Sequence, residues 1–204
     1  AQRANAPYLN YIDNVYNALD PSMFEPNFGE TGDYFFFIGT LSKNKGVDIA
    51  VKACKQAGKK LILAGEIRPE DQEFLDREVM PLIDGEQIKF IGRANFEQKV
   101  ELFKKAKALL FPSQWNEAFG MVAIEALACG TPVIGWESGA IPEIIEDGKT
   151  GYVAGSLEKF IEAMDNIDKI DRKVCREELE KRFSVSAMAE HYVQIYQKLI
   201  DAKK

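Results

Sequence analysis

The chain has 204 residues, 46% of them apolar, and a net charge of −6. That length and composition support one large globular unit with its own core, and the acidic balance argues against a general nucleic-acid binder, which needs a basic surface. His191 is the only histidine, which argues against a His-based triad or zinc site, and Cys54, Cys129 and Cys175 stand far apart, as reduced thiols of a cytosolic protein do.

Residues 1–32 contain no signal-peptide pattern and no membrane-length apolar run. Pro7, Pro21, Pro26, Gly29 and Gly32 punctuate them like a connection between units, so the chain is expected to belong to something longer. From Asp33 the pattern becomes regular. Asp33–Leu41 is an apolar run and reads as a buried strand. Lys45–Gly58 has apolar residues at Val47, Ala50, Val51 and Cys54, a helical period, and stops at Gly58. Lys59–Glu66 reads as a strand, Pro69–Ile83 as a helix opened by proline, and Gln87–Arg93 as a third strand. Asn95–Ala106 reads as a helix in which Asn95 and Gln98 form a capping box. Ala108–Ser113 is a fourth strand, Gly120–Gly130 a helix, Thr131–Trp136 a fifth strand, Ala140–Asp147 a short helical piece and Thr150–Gly155 a short sixth strand. Helices fill the rest to Lys204.

Strand and helix alternate from Tyr34 to about Ile167, which demands a parallel sheet covered on both faces. The expected fold is α/β, a doubly wound Rossmann-like parallel sheet, with residues 1–32 a linker, 33–168 the ligand-binding domain and 169–204 terminal helices. Such sheets bind ligands beyond the carboxyl ends of their strands, so those loops carry the chemistry.

The first such loop, Gly39–Gly46, offers amides, the hydroxyls of Thr40 and Ser42, and the ammonium groups of Lys43 and Lys45 next to a helix start. That combination suits an anion, although it matches neither the Walker loop nor the dinucleotide fingerprint. Glu66 and Arg68 follow the second strand, and Gly92 and Arg93 the third. After the fourth strand, Ser113, Gln114, Asn116 and Glu117 precede a helix whose starting amides, at Phe119, Gly120 and Met121, have no helical partner. Glu125 lies inside that helix among Val122, Ala123, Ile124, Ala126, Leu127 and Ala128. A helix apolar nearly all round is buried, and a buried carboxylate needs donors. Ligand hydroxyls are one source and a neighbouring amide the other. After the fifth strand, Gly139, Ala140 and Glu143 mark another helix start.

The run "EAFGMVAIEALACGTPVI" with "GAIPEIIEDGKTGYV" resembles the C-terminal donor-binding domain of the retaining glycosyltransferases of family 4, of GT-B architecture. The resemblance extends upstream through "NVYNALDPSMF" and "IGTLSKNKG" and downstream through "CREELEKRFSVSAMAEHYVQIYQKL", nearly the whole chain. It implies transfer of a hexose from a UDP- or GDP-sugar to an acceptor, with retention and without a metal or other cofactor; no Asp-x-Asp pair is present. Glu117 and Lys45 would act at the reacting centre, Glu117 on the donor sugar and Lys45 on the diphosphate. Thr40, Ala118, Phe119, Gly120 and Met121 would complete the donor cradle, Glu125 would take the ribose hydroxyls, and backbone near Arg93 would meet the base. One position departs from the family pattern: Thr40 stands where arginine is usual, and threonine has no charged fork for a phosphate.

The resemblance also implies that the acceptor is held by an N-terminal domain absent here, so this piece alone is expected to transfer little. Its partners would be a nucleotide sugar, that domain, and a glycan, lipid or small-molecule acceptor. Its location would be cytoplasmic, or peripheral at the cytoplasmic membrane face. Two other readings compete: a sugar-nucleotide epimerase of related fold, and a non-catalytic nucleotide-sugar-binding module, for which Thr40 is the best argument.

Overall fold

The computed structural model describes residues 8–9 and 11–202. Residues 1–7 and 10 of the expected linker, and 203–204 of the expected terminal helices, lie outside them. Six parallel strands form one sheet: β1 (Phe35–Ile38), β2 (Leu61–Ala64), β3 (Ile88–Phe90), β4 (Leu109–Phe111), β5 (Val133–Trp136) and β6 (Gly151–Ala154). Their order is β3-β2-β1-β4-β5-β6. The register sets Phe35 opposite Leu61 and Val133 opposite Gly151. Successive residues of a strand face opposite sides, so a run such as Phe35-Phe36-Phe37, all buried, needs cover on both faces.

The helices are α1 (Val47–Ala57), α2 (Gln72–Glu78), α3 (Phe96–Lys105), α4 (Met121–Ala128), α5 (Ile141–Ile144), α6 (Leu157–Asn166), α7 (Arg172–Phe183) and α8 (Val185–Asp201); α1, α4, α5 and α6 lie against strands, α7 packs on α4, and α8 packs on α7. Asn95 and Gln98 make the expected capping box: the Asn95 side chain accepts from the Gln98 amide at 2.8 Å, and Gln98 accepts from the Asn95 amide at 3.0 Å. The expected single helix over Pro69–Ile83 is wrong. It breaks into a 3-10 turn at Pro69–Asp71, α2, and a second 3-10 turn at Met80–Leu82. Pro81 has no amide to donate and disfavours helical geometry at the residue before it. Among the described residues no helix is long and apolar enough to cross a membrane.

The segment before β1 is tied to the C-terminal helices. Leu19 donates to the Phe183 carbonyl and accepts from the Val185 amide. Arg176 donates to the carbonyls of Pro21, Phe24 and Ala128. Arg172 donates to the carbonyls of Asn27, Lys104 and Ala106 and to the Thr131 hydroxyl. Two arginines on α7 thus satisfy backbone acceptors from three separate stretches of chain, which fixes α7 against α4, the end of α3 and the leading segment.

Candidate functional site

The strand order reverses between β1 and β4. The chain runs outward from β1 through β2 to β3, then returns to lay β4 on the other side of β1. The loops leaving these two strands diverge and open a crevice at their carboxyl ends. A small cavity of about 40 Å³ lies there, lined by Ile38, Gly39, Lys45, Phe111 and Ser113 among others.

The two loops are stitched across this crevice by one carbonyl. The Asn44 oxygen accepts from the amides of Gln114 and Trp115, at 3.0 and 3.2 Å, and from the Ser113 hydroxyl at 3.3 Å. Gly46 makes the close approach feasible. Its φ is +69°, and a Cβ there would sit 2.0 Å from the Pro112 carbonyl oxygen. The result is that Lys45, 72 residues before Glu117 in sequence, forms an ion pair with the Glu117 carboxylate. Ser113 donates to the same oxygen, Oε1, at 3.1 Å, so Oε2 stands outside this pair. Glu117 is mostly shielded (15% exposed), whereas the Lys45 side chain is 37% exposed. The arrangement is a carboxylate of fixed orientation beside a cation still open to the groove.

The Glu117 loop is also held from behind. Its carbonyl accepts from the Ala140 amide at 3.0 Å, and the Ser138 hydroxyl donates to the Trp115 carbonyl at 3.1 Å. Gly139, at φ +59°, lies so close that a Cβ would meet the Glu117 amide nitrogen at 2.5 Å. Immediately downstream, α4 starts at Gly120 with φ +101° and no side-chain cap. The Ala123 amide donates to the Gly120 carbonyl at 3.0 Å, while the amides ahead of it and the positive end of the dipole are available to an anion. Ala118 and Met121, on either side of this start, are exposed.

Phe119 has a second role. Its ring is buried and packs on Tyr16 and Phe183, with centroids 6.1 and 5.8 Å apart, while Tyr16 and Phe183 meet edge to face at 5.5 Å. The Tyr16 hydroxyl donates to Glu143 at 3.2 Å; burial first, and then the Glu143 charge, raise its pKa. The start of α4 is thereby anchored to the leading segment and to α7.

Glu125 is largely buried, as the apolar composition of α4 requires. At Oε1 its donor is not a neighbouring amide but Lys99 of α3, whose Nζ lies 2.8 Å away. Nothing in the sequence marks Lys99. The other oxygen, Oε2, is buried with no hydrogen-bond partner.

The remaining expected residues stand apart from this pair. Thr40 is half-buried on the loop after β1, outside the Lys45–Glu117–Ser113 contacts. Arg93 is exposed at the end of β3 and pairs with Glu66, which also accepts from Arg68 at 3.1 Å. The Arg68 hydrogen bond first, and the Arg93 charge after it, hold the Glu66 carboxyl below its usual range. The three cysteines are buried, and burial pushes the thiols of Cys129 and Cys175 up to about 12; they are packing residues. His191 is no part of the site; it pairs with Asp13 at 3.1 Å. Among the described residues no group of three or more His, Cys, Asp or Glu side chains is placed to hold a metal ion.

Residues 20–187 match the family described as glycosyl transferases group 1, and the chain belongs to that family. An uncharacterized glycosyltransferase of Methanocaldococcus jannaschii is 32% identical over 200 residues, covering 92% of this chain and 54% of the relative. The chain spans about half the length of the curated relatives it matches. Among solved structures, AviGT4, a glycosyltransferase involved in avilamycin A biosynthesis, superposes with a TM-score of 0.80 at 25% identity, over 98% of this chain and 62% of that one. Anabaena HepE, solved in complex with UDP and glucose, superposes with a TM-score of 0.74 at 19% identity, over 91% of this chain and 56% of that one, a likeness of fold. The sheet and its helices are those of one half of a GT-B glycosyltransferase.

Proposed function

We propose that this chain is the donor-binding half of a retaining glycosyltransferase of family 4, which takes a hexose from a UDP- or GDP-sugar in the cytoplasm. The observation that carries the proposal is the Lys45–Glu117 pair at the switch point of the sheet, beside an uncapped helix start. A nucleotide sugar presents hydroxyls at both ends and a diphosphate between. Lys45 and the amides of Phe119, Gly120 and Met121 suit the diphosphate. Glu117 suits the sugar hydroxyls and Glu125 those of the ribose. Backbone near Arg93 would lie under the base. The UDP and glucose held by the Anabaena relative of this fold support that ligand class.

Catalysis on this reading is mostly electrostatic. As the bond between the anomeric carbon and the phosphate oxygen breaks, negative charge gathers on the departing diphosphate, where Lys45 and the dipole of α4 stabilise it. The acceptor hydroxyl oxygen then bonds to the same face of the anomeric carbon, and its proton passes to the departing phosphate oxygen. No metal is required, because the cation and the dipole supply the charge.

The acceptor site would belong to a second domain. Ligand sites usually enclose roughly 300–1,000 Å³, and the crevice here encloses about 40 Å³. A donor would lie on an open shelf until another surface covers it, so the chain by itself is expected to bind nucleotide weakly and to show little or no transfer. The test is calorimetric titration with UDP, GDP and ADP. Saturable binding of one nucleotide, weakened by Glu125→Ala, supports the reading; no binding of any at millimolar concentration, by this chain or by a longer protein containing it, refutes it.

A further inference from the structure

We infer that Lys99 is a positioning residue for the recognition of a ribose: it fixes Glu125 by one carboxylate oxygen and so reserves the other for the vicinal hydroxyls of a nucleotide. The inference rests on the donor-site reading of α4 and adds to it a residue from a different element.

Lys99 occupies the first turn of α3, the helix that follows β3, so it too lies at the ligand edge of the sheet. Its side chain is 18% exposed and that of Glu125 17% exposed, a pair largely removed from water. Lys99 is held from a second side, since its ammonium lies 5.3 Å from the centre of the Phe96 ring. Phe96 in turn packs edge to face on buried Phe24, with centroids 5.3 Å apart. The cation is therefore seated before any ligand arrives. Glu125 receives its charge partner at Oε1 only, and Oε2 is a buried acceptor without a donor. An ionised oxygen buried and unpaired is costly, and a structural ion pair has no need to leave one so. A ligand diol supplies the missing donors and offsets that cost.

Lys99 thus has two effects on binding. Its ammonium partners the carboxylate, whose oxygens accept hydrogen bonds and so suit a hydroxyl. Its hydrogen bond sets the carboxylate plane, so that Oε2 is presented without the entropy of choosing a rotamer. Neither effect touches the phosphates, which are held by Lys45 and the start of α4.

The experiment compares UDP with 2′,3′-dideoxy-UDP, and GDP with its dideoxy counterpart, by equilibrium titration of the wild type, Lys99→Met, Lys99→Gln and Lys99→Arg. The wild type should prefer the ribonucleotide by about tenfold or more, the worth of a hydrogen bond to a charged group. Lys99→Met should lose most of that preference while its affinity for the dideoxy compound stays within about twofold of wild type. Lys99→Gln, which keeps a neutral donor and serves should the Met variant fail to fold, should fall between. Lys99→Arg should retain the preference. A Lys99→Met protein that still discriminates overturns the role of Lys99 alone. One that loses both nucleotides equally shows a merely structural lysine and overturns it as well. A wild type that does not discriminate refutes the assignment of Glu125 to the ribose, and Lys99 falls with it.

Discussion

The Lys45–Glu117 pair predicts that two substitutions at one contact have opposite effects on nucleotide binding. In the structure Lys45 is engaged by Glu117. A diphosphate must take the cation from that partner or share it. Lys45→Met removes a charge-assisted contact to phosphate. Two unit charges at ~4 Å in an effective dielectric of ~20 interact by about 4 kcal/mol, but the Lys45 side chain is 37% exposed, so solvent screening lowers the net value to about 1.5–3 kcal/mol. Binding of UDP or GDP should weaken about 10- to 150-fold. Glu117→Gln removes the competitor. A partly exposed pair is worth about 0.2–1 kcal/mol, so the variant should bind the bare nucleoside diphosphate as well as wild type or up to about fivefold more tightly. Its transfer activity, measured in a longer protein that carries the acceptor domain, should nonetheless collapse, because the sugar has lost its acceptor carboxylate. Calorimetry with UDP and GDP on three proteins suffices. If Glu117→Gln weakens nucleotide binding as much as Lys45→Met does, the pair is not a resting state that the diphosphate displaces, and the reasoning fails.

Three further outcomes follow from the geometry. Gly139→Ala places a Cβ against the Glu117 backbone at a positive φ; it should cost about 1–2 kcal/mol of stability and depress sugar transfer more than nucleotide binding, measured by urea unfolding beside titration. Arg172→Met strips donors from three carbonyls and a hydroxyl and should cost roughly 2–5 kcal/mol, at about 1–3 kcal/mol for each acceptor left without a partner; a loss under about 1 kcal/mol in urea unfolding would refute the staple. The Glu178 carboxyl is held below its usual range, first by the hydrogen bond from Lys149. A depressed carboxyl stabilises the fold fully above its unfolded pKa of ~4.3, and that contribution fades as the pH falls through the lower folded value. Thermal melts from pH 7 down should therefore show a smaller loss on acidification for Glu178→Gln than for wild type.

The fold was legible because its signals are local. Alternating short apolar runs and amphipathic helices, Gly58 as a helix stop and the Asn95–Gln98 box each depend on residues within a few positions, and all appear in the structure. The helix misread at Pro69–Ile83 shows the limit of that signal: the apolar period continues through Pro81, but the backbone cannot. The site was half legible. Strand ends pointed to Lys45 and Glu117, which the structure brings together, and the apolar helix around it pointed to Glu125. The partners of these residues were not legible. Lys99 meets Glu125 across 26 residues of sequence, and Gly139 supports Glu117 across 22; no period or motif joins them. Phe119 was read for its amide, while its ring turned out to serve the packing of Tyr16 and Phe183.

These partners share a design that bears on the proposed donor binding and transfer. Each acid of the site is already paired with a lysine carried by a different loop or helix: Glu117 with Lys45 from the loop after β1, Glu125 with Lys99 from α3. The Lys99–Glu125 pair can therefore stay as it is when a ligand arrives, whereas Lys45 has to exchange or share its partner. The two pairs nonetheless differ in exposure. Lys99 is enclosed and seated on Phe96, whereas Lys45 keeps over a third of its side chain in solvent. A buried pair holds its geometry, and a half-exposed one exchanges partners at small cost. The enclosed pair suits recognition of a part that does not react, and the open pair suits the end where charge develops as a bond breaks. A surface that closes over the shelf would remove water from Lys45 and strengthen its hold on the departing diphosphate at that step.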